Sequence, residues 1–304
     1  MLHSLENGIL RSINGSTPKE LIEPNYKEII PASYLRRMSK IIKMGVATAL
    51  ITMKEENAEG IIVGSGVGCC YNTLLFINEY YNRDTGILSP NAFIQSTDNT
   101  IAGQIALILQ KNSYNITYIQ KGLAFENALI DAVLLSEEIQ NNVLVGGVDE
   151  WIRKFELNTE TKTLHPGYWI GEGATFFILK QEEKGAIAKV SACGILSANK
   201  STLQETVESF LKGHQLPLPD LILYGNSFAN IAPLMSNIFG IKTFNYSNVS
   251  GIYFTNSSFG VQLGVEILSN RELAGEKELL AETILVLNNF FDKDWGLTYL
   301  SAVK

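Results

Sequence analysis

Three cysteines, three histidines and one tight strand–turn–helix elbow are the features of this chain with the most chemical potential. Cys69 and Cys70 close the glycine-rich run Gly60-Ile-Ile-Val-Gly-Ser-Gly-Val-Gly68. A helix N-terminus can lower a thiol pKa and create a nucleophile. No histidine stands near the pair, since the chain has only His3, His165 and His214. Small buried thiols are therefore the reading of Cys69 and Cys70. The same run invites a dinucleotide-binding reading, in which glycines let the backbone approach a pyrophosphate. Its third glycine falls at Cys69, so a tight strand-to-helix turn explains the run better. No C-x-x-C or H-x-x-x-H spacing occurs, and no metal site is expected.

The second elbow is more informative. An apolar strand from Ile116 to Ile119 runs into Gln120-Lys121-Gly122 and then a helix from Leu123 to Ser136. Enzymes seat a Ser or Cys nucleophile on such a turn, where backbone N–H groups converge. No Ser or Cys lies between Tyr118 and Glu126.

These sites need elements to hold them, and the composition allows a large core. Of 304 residues 46% are hydrophobic and 18% charged, enough for one large domain or two medium ones. The net charge of −7 argues against a general nucleic-acid binder. No apolar run approaches the ~18 residues of a membrane span. No signal peptide is read at the N-terminus, and too few cysteines for a disulfide framework suit a reducing cytoplasm.

Leu35, Met38, Ile42, Val46, Ala49 and Met53 repeat at helical spacing, predicting a helix from about Tyr34 to Lys54 capped by Ser33. Arg36, Arg37, Lys40 and Lys43 lie mostly off that stripe, as a solvated basic face or a docking patch for an acidic partner. Strands are expected at Gly60–Val63, Ile116–Ile119, Asn142–Val145, Thr175–Leu179, Ala186–Ala192, Leu221–Tyr224, Thr283–Leu287 and Gly296–Ser301. Helices are expected at Asn72–Tyr80, Leu123–Ser136, Ser201–Lys212, Asn230–Phe239 and Ser257–Ser269. Alternating strands and helices make this an α/β protein. The polar run Gln181-Glu-Glu-Lys-Gly185 divides it into halves, residues 1–183 and 184–304.

Taken in order, several segments resemble the β-ketoacyl synthase family. They are Arg36-Arg-Met-Ser-Lys-Ile-Ile-Lys-Met44, the glycine run, Asn99-Thr-Ile-Ala-Gly-Gln104, Val143-Leu-Val-Gly-Gly-Val-Asp149 and Gly171-Glu-Gly-Ala174. The resemblance implies a thiolase-like fold: two similar βα halves packed as α-β-α-β-α layers. It implies no cofactor.

The family carries an acyl thioester on a cysteine, with two histidines and a lysine in support. The family's cysteine would fall at Gly122, its histidines at Tyr224 and Ile252, and its lysine at Ser247. Gln120, Lys121, Asn226, Phe290 and Phe291 would line the pocket. Arg36, Arg37, Lys40 and Lys43 would meet acyl carrier protein. Independently of alignment, no histidine follows His214. The resemblance therefore points to a non-catalytic, chain-length-factor-like subunit. Its partner would be an active ketosynthase, or a second copy of the chain, in fatty-acid or polyketide-type synthesis such as aryl polyene or flexirubin-like pathways. The alternatives are a divergent 3-oxoacyl-carrier-protein synthase using Tyr224, Lys121, Asp98 or a cysteine of the glycine turn, and a stand-alone acyl-binding module.

Overall fold

Short apolar strands, the central ones buried along their whole length, build two sheets, and helices cover their faces. The computed structural model describes residues 22–54, 56–82, 88–152, 171–197, 202–225, 240–269, 281–289 and 294–303. The first long helix, α1 (Lys40–Thr52), buries Ile42, Val46 and Ala49 as its stripe requires. It starts later than its spacing predicts. The chain breaks after a short turn of helix at Ala32–Leu35, because Ser39 is extended and its hydroxyl accepts from Asn72. Strand β1 (Gly60–Ser65) leads to α2 (Cys70–Asn82). After α3 (Thr100–Ile108) come β2 (Asn115–Ile119), the elbow, and α4 (Ala124–Ile139). Strands β3 (Val143–Asp149) and β4 (Gly173–Leu179) complete the first sheet, ordered β2-β1-β3-β4.

The second sheet begins with β5 (Ala188–Ser197), which α5 (Leu203–Gly213) follows. It contains β6 (Leu221–Gly225), β7 (Lys242–Asn245), β8 (Thr283–Asn288) and β9 (Asp294–Ala302), with α6 (Asn256–Leu268) between β7 and β8. Its order is β5-β9-β8-β6-β7. In the first sheet β1 is parallel to β2 and β3, while β4 runs against β3. In the second, β6 is parallel to β7 and β8, while β9 runs against β8. The halves thus share one topology, with α4 and α6 as equivalent crossover helices and β5 as an addition.

Three clusters define the layers. Ile62, Val143 and Val145 of the first sheet meet Leu221, Leu223 and Val286 of the second through α4 and α6. The opposite face of the first sheet, including Ile61, Val63 and Leu144, is covered by α1 and α3. Ile222, Leu285 and Tyr299 pack under α5 on the far side. The order is helix, sheet, helix, sheet, helix, which is the thiolase-like arrangement expected. Helix α3 and strand β7 were not among the expected elements. The helix expected at Asn230–Phe239 lies outside the described residues.

Candidate functional site

Parallel strands end together, and the ends of β1, β2, β3, β6 and β8 bring their following turns to one region. Two close approaches shape it. A Cβ at Gly64 would lie 2.6 Å from the Ala124 carbonyl oxygen, so its absence lets the start of α4 rest on β1. A Cβ at Gly147 would lie 2.8 Å from Thr255 Cβ, so β3 accepts the start of α6 in the same way. The N-termini of the two central helices therefore converge.

The elbow after β2 turns at Lys121, which has φ of 50°. A side chain in this left-handed region is uncommon and marks the sharp point of the turn. The Lys121 amide donates to the Gly66 carbonyl at 3.0 Å, fixing the elbow to the glycine turn. Gln120 and Lys121 are exposed, whereas Gly122 is buried. The Asn288 side-chain amide donates to the Gly122 carbonyl at 2.6 Å and to Glu126 Oε1 at 2.8 Å. Burial pushes the Glu126 carboxyl up to about 7, against the pull of Ser257 and Asn288.

Asp149 is a second buried hub. Its Oδ1 accepts from Ser65 Oγ at 3.1 Å and the Gly66 amide at 2.8 Å. Its Oδ2 accepts from the Thr255 amide and hydroxyl at 2.8 and 2.7 Å, capping α6. Burial pushes this carboxyl up to about 6, and the four donors oppose that rise. The amides of the glycine turn are committed inward: Gly66 bonds Asp149, and Gly68 bonds Ser65 Oγ at 3.0 Å.

Residues 13–168 match the family described as Beta-ketoacyl synthase, N-terminal domain, which spans just over half of the chain. The chain belongs to the β-ketoacyl synthase family. No curated protein matches its sequence. Among solved structures, "The ishigamide ketosynthase/chain length factor" aligns with TM-score 0.72 at 14% identity, covering 92% of this chain and 86% of that one. A β-ketoacyl synthase from Burkholderia phymatum gives 0.66 at 15%, covering 90% and 85%. A ketosynthase in complex with its chain length factor from Xenorhabdus doucetiae gives 0.55 at 14%, covering 94% and 87%. At such identities the likeness establishes the fold.

Within this ketosynthase scaffold the expected positions separate. Gly122 lies one residue beyond the sharp turn at Lys121. Tyr224 packs with Ile222 and Leu287 on the α5 side of the second sheet, away from the elbow. Ser247 is buried, and its hydroxyl accepts from Asn256 at 3.0 Å. Ile252 is buried beside Gly171, whose amide donates to its carbonyl at 3.0 Å. Asn226, Phe290 and Phe291 lie outside the described residues. His165 lies outside them too, and His214 meets Phe210 in a tilted ring contact at the end of α5.

The thiols are not activated either. Burial, then the charges of Asp98 and Glu150, push Cys69 up to about 12. Burial and Asp98 also raise Cys70, and burial with Glu126 pushes Cys193 up to about 11. All three stay protonated at neutral pH, opposite to an activated nucleophile. Of the basic set, Arg36 and Arg37 are exposed and Lys43 is half-buried, while Lys40 bonds Glu172 at 2.5 Å.

Glu126, Ser257 and Asn288 are the site residues that sequence reasoning missed. One signal was available: Glu126 interrupts the apolar face of Ala124, Phe125, Ala128 and Leu129. A cavity of about 450 Å³ lies elsewhere, between the halves, lined by Val133, Ser136, Leu179, Gln181 and Ile187. It begins nine residues along α4 from its start, about 14 Å from the elbow at 1.5 Å per residue.

Proposed function

We propose that this chain is a non-catalytic, chain-length-factor-like partner of an active β-ketoacyl synthase in fatty-acid or polyketide-type synthesis, of which aryl polyene and flexirubin-like pathways are examples. The observation that carries the reading is the elbow. Its turn residue is Lys121, no thiol or histidine stands in the first turn of either central helix, and the chain's cysteines are raised above the range where thiolates form. An acyl thioester needs a thiolate, and none is supplied there.

The surface beside the elbow supports a protein partner. Strand β2 is the edge of its sheet. Neighbouring elements expose Tyr80, Tyr81, Phe93, Ile94, Leu107 and Tyr114. An exposed sheet edge flanked by large apolar side chains favours association. Two of the similar structures pair a ketosynthase with a chain length factor, and a third holds an acyl-carrier protein in complex with its ketosynthase. A carrier protein is acidic, so Arg36 and Arg37 are its contact residues in this reading. Lys40 serves Glu172 within the chain.

Co-expression with a catalytic ketosynthase encoded nearby tests the proposal. The expected result is a stable heterodimer that condenses acyl and malonyl units, while the isolated chain gains no acyl mass. Acylation of the isolated chain, or its failure to associate with any such ketosynthase, would overturn the reading. Charge reversal at Arg36 and Arg37 should slow carrier-protein association, most at low salt. Unchanged association would remove those two residues from the contact.

A further inference from the structure

The convergence of α4 and α6 encloses a carboxyl group for which the described residues supply no ionic partner. Glu126 is 3% exposed, Ser257 2% and Asn288 1%. Glu126 Oε1 receives the Asn288 amide, but Oε2 has no hydrogen-bond partner, and Ser257 Oγ has none either. The groups facing the carboxyl come from five elements. They are Ser257 from α6, Asn288 from β8, Cys193 from β5, Gly296 from β9 and Tyr246 from the turn before Ser247–Ser250. Among the described residues no cation pairs with it. The strand even makes room for it: a Cβ at Gly296 would stand 2.6 Å from Glu126 Cγ.

A carboxylate here would carry a full charge against one formed hydrogen bond, from Asn288, with the Ser257 hydroxyl beside it to offer a second. Burying an unpaired charge is far more costly than burying a neutral carboxylic acid. We propose that the junction of the two central helices is a proton-binding site, in which Glu126 is held as a neutral acid with its proton on Oε2, and that release of this proton loosens the elbow. The link to the elbow is the Asn288 amide, which is shared between Glu126 Oε1 and the Gly122 carbonyl. An ionised Glu126 must shift toward water, or draw water in, and either movement competes for that amide. The elbow then loses its tie to Asn288 and keeps the Lys121 amide on the Gly66 carbonyl. The inference does not depend on the function proposed above. The upward push on Glu126, to about 7, agrees with it.

The test is a carboxyl-carbon NMR titration of the full chain labelled with ¹³C-glutamate, with the Glu126 signal assigned by its loss in Glu126→Gln. Alongside it, hydrogen exchange of the Lys121 and Leu123 amides is followed against pH and corrected for intrinsic base catalysis. The expected midpoint lies near neutrality, and corrected exchange rises about tenfold per pH unit below it and then levels off. In Glu126→Gln, which keeps the oxygen that Asn288 contacts, corrected exchange should not change with pH. A midpoint in the ordinary carboxylate range overturns the proton site. A midpoint near neutrality with corrected exchange independent of pH overturns the coupling to the elbow. If Glu126→Gln does not fold, through-bond assignment of the wild-type signal decides both points.

Discussion

Replacing Gly225 by alanine should destabilise the protein only while Tyr246 keeps its ring. Tyr246 is fully buried, and its hydroxyl donates to the Leu287 carbonyl at 3.2 Å. A Cβ at Gly225 would meet its Cε2 at 2.1 Å, and a Cβ at Gly260 would meet its Cε1 at 2.7 Å. The ring is therefore held between the end of β6 and the face of α6. Gly225 does not have positive φ, so the obstacle to alanine there is steric. With Gly260 behind it the ring has little room to withdraw, and overpacking of this kind costs roughly 1–3 kcal/mol. Tyr246→Ala alone removes a buried aromatic ring and should cost roughly 3–5 kcal/mol. In the double variant the new methyl group occupies space that the ring has vacated. Its cost should fall to about zero, giving a coupling of roughly 1–3 kcal/mol. Urea unfolding of the four proteins, followed by circular dichroism and fitted for slope as well as midpoint, measures this cycle. If Gly225→Ala costs the same with and without the tyrosine ring, the ring is not what excludes a side chain at Gly225, and the packing argument fails.

Glu126→Gln should also reveal a pH-dependent stability. The folded carboxyl is pushed from 4.5 to about 7, so its contribution is fully present below the unfolded value and is lost as pH rises through neutrality. Wild type should lose up to roughly 3 kcal/mol between pH 5 and pH 8 from this group, while the glutamine variant should not. Equal pH profiles in urea unfolding would contradict that. Iodoacetamide at pH 7.5 should alkylate Cys69 more than about a hundredfold slower than a free thiol, because its pKa is pushed up to about 12. A fast-reacting Cys69 would revive a nucleophilic role for the glycine turn. Gly64→Ala places a Cβ 2.6 Å from a backbone oxygen of α4, so no rotamer can relieve it. It should lower stability by roughly 1–3 kcal/mol and raise hydrogen exchange at Lys121 and Leu123; wild-type exchange would argue against a tightly seated elbow.

Much of the secondary structure was legible because its signals are local. The stripe of Met38, Ile42, Val46 and Ala49 is buried as its spacing requires. Strands such as Thr283–Asn288 and Leu221–Gly225 fall within a residue of expectation. The break before α1 was not legible, since it depends on Asn72 reaching Ser39 across 33 residues. The repeated topology left no obvious sequence repeat, because the same strand order can be built from different apolar residues.

Two facts can be read from residue identities alone: there is no thiol at the elbow under any nearby register, and no histidine after His214. Which side chains meet at the elbow was decided by tertiary structure. Tyr224 illustrates the reason. Successive residues of a strand face opposite sides, and Tyr224 joins Ile222 on the α5 face while Leu223 faces the central helices. Pattern reading reaches the strand but not the side on which its last residue emerges. Glu126 and Asn288 stand 162 positions apart, and only the convergence of α4 with β8 joins them. Sequence could mark Glu126 as a charge on an apolar stripe. Its burial with no cation from the described residues follows from packing the two halves together, where distance in space, rather than spacing along the chain, sets the electrostatics.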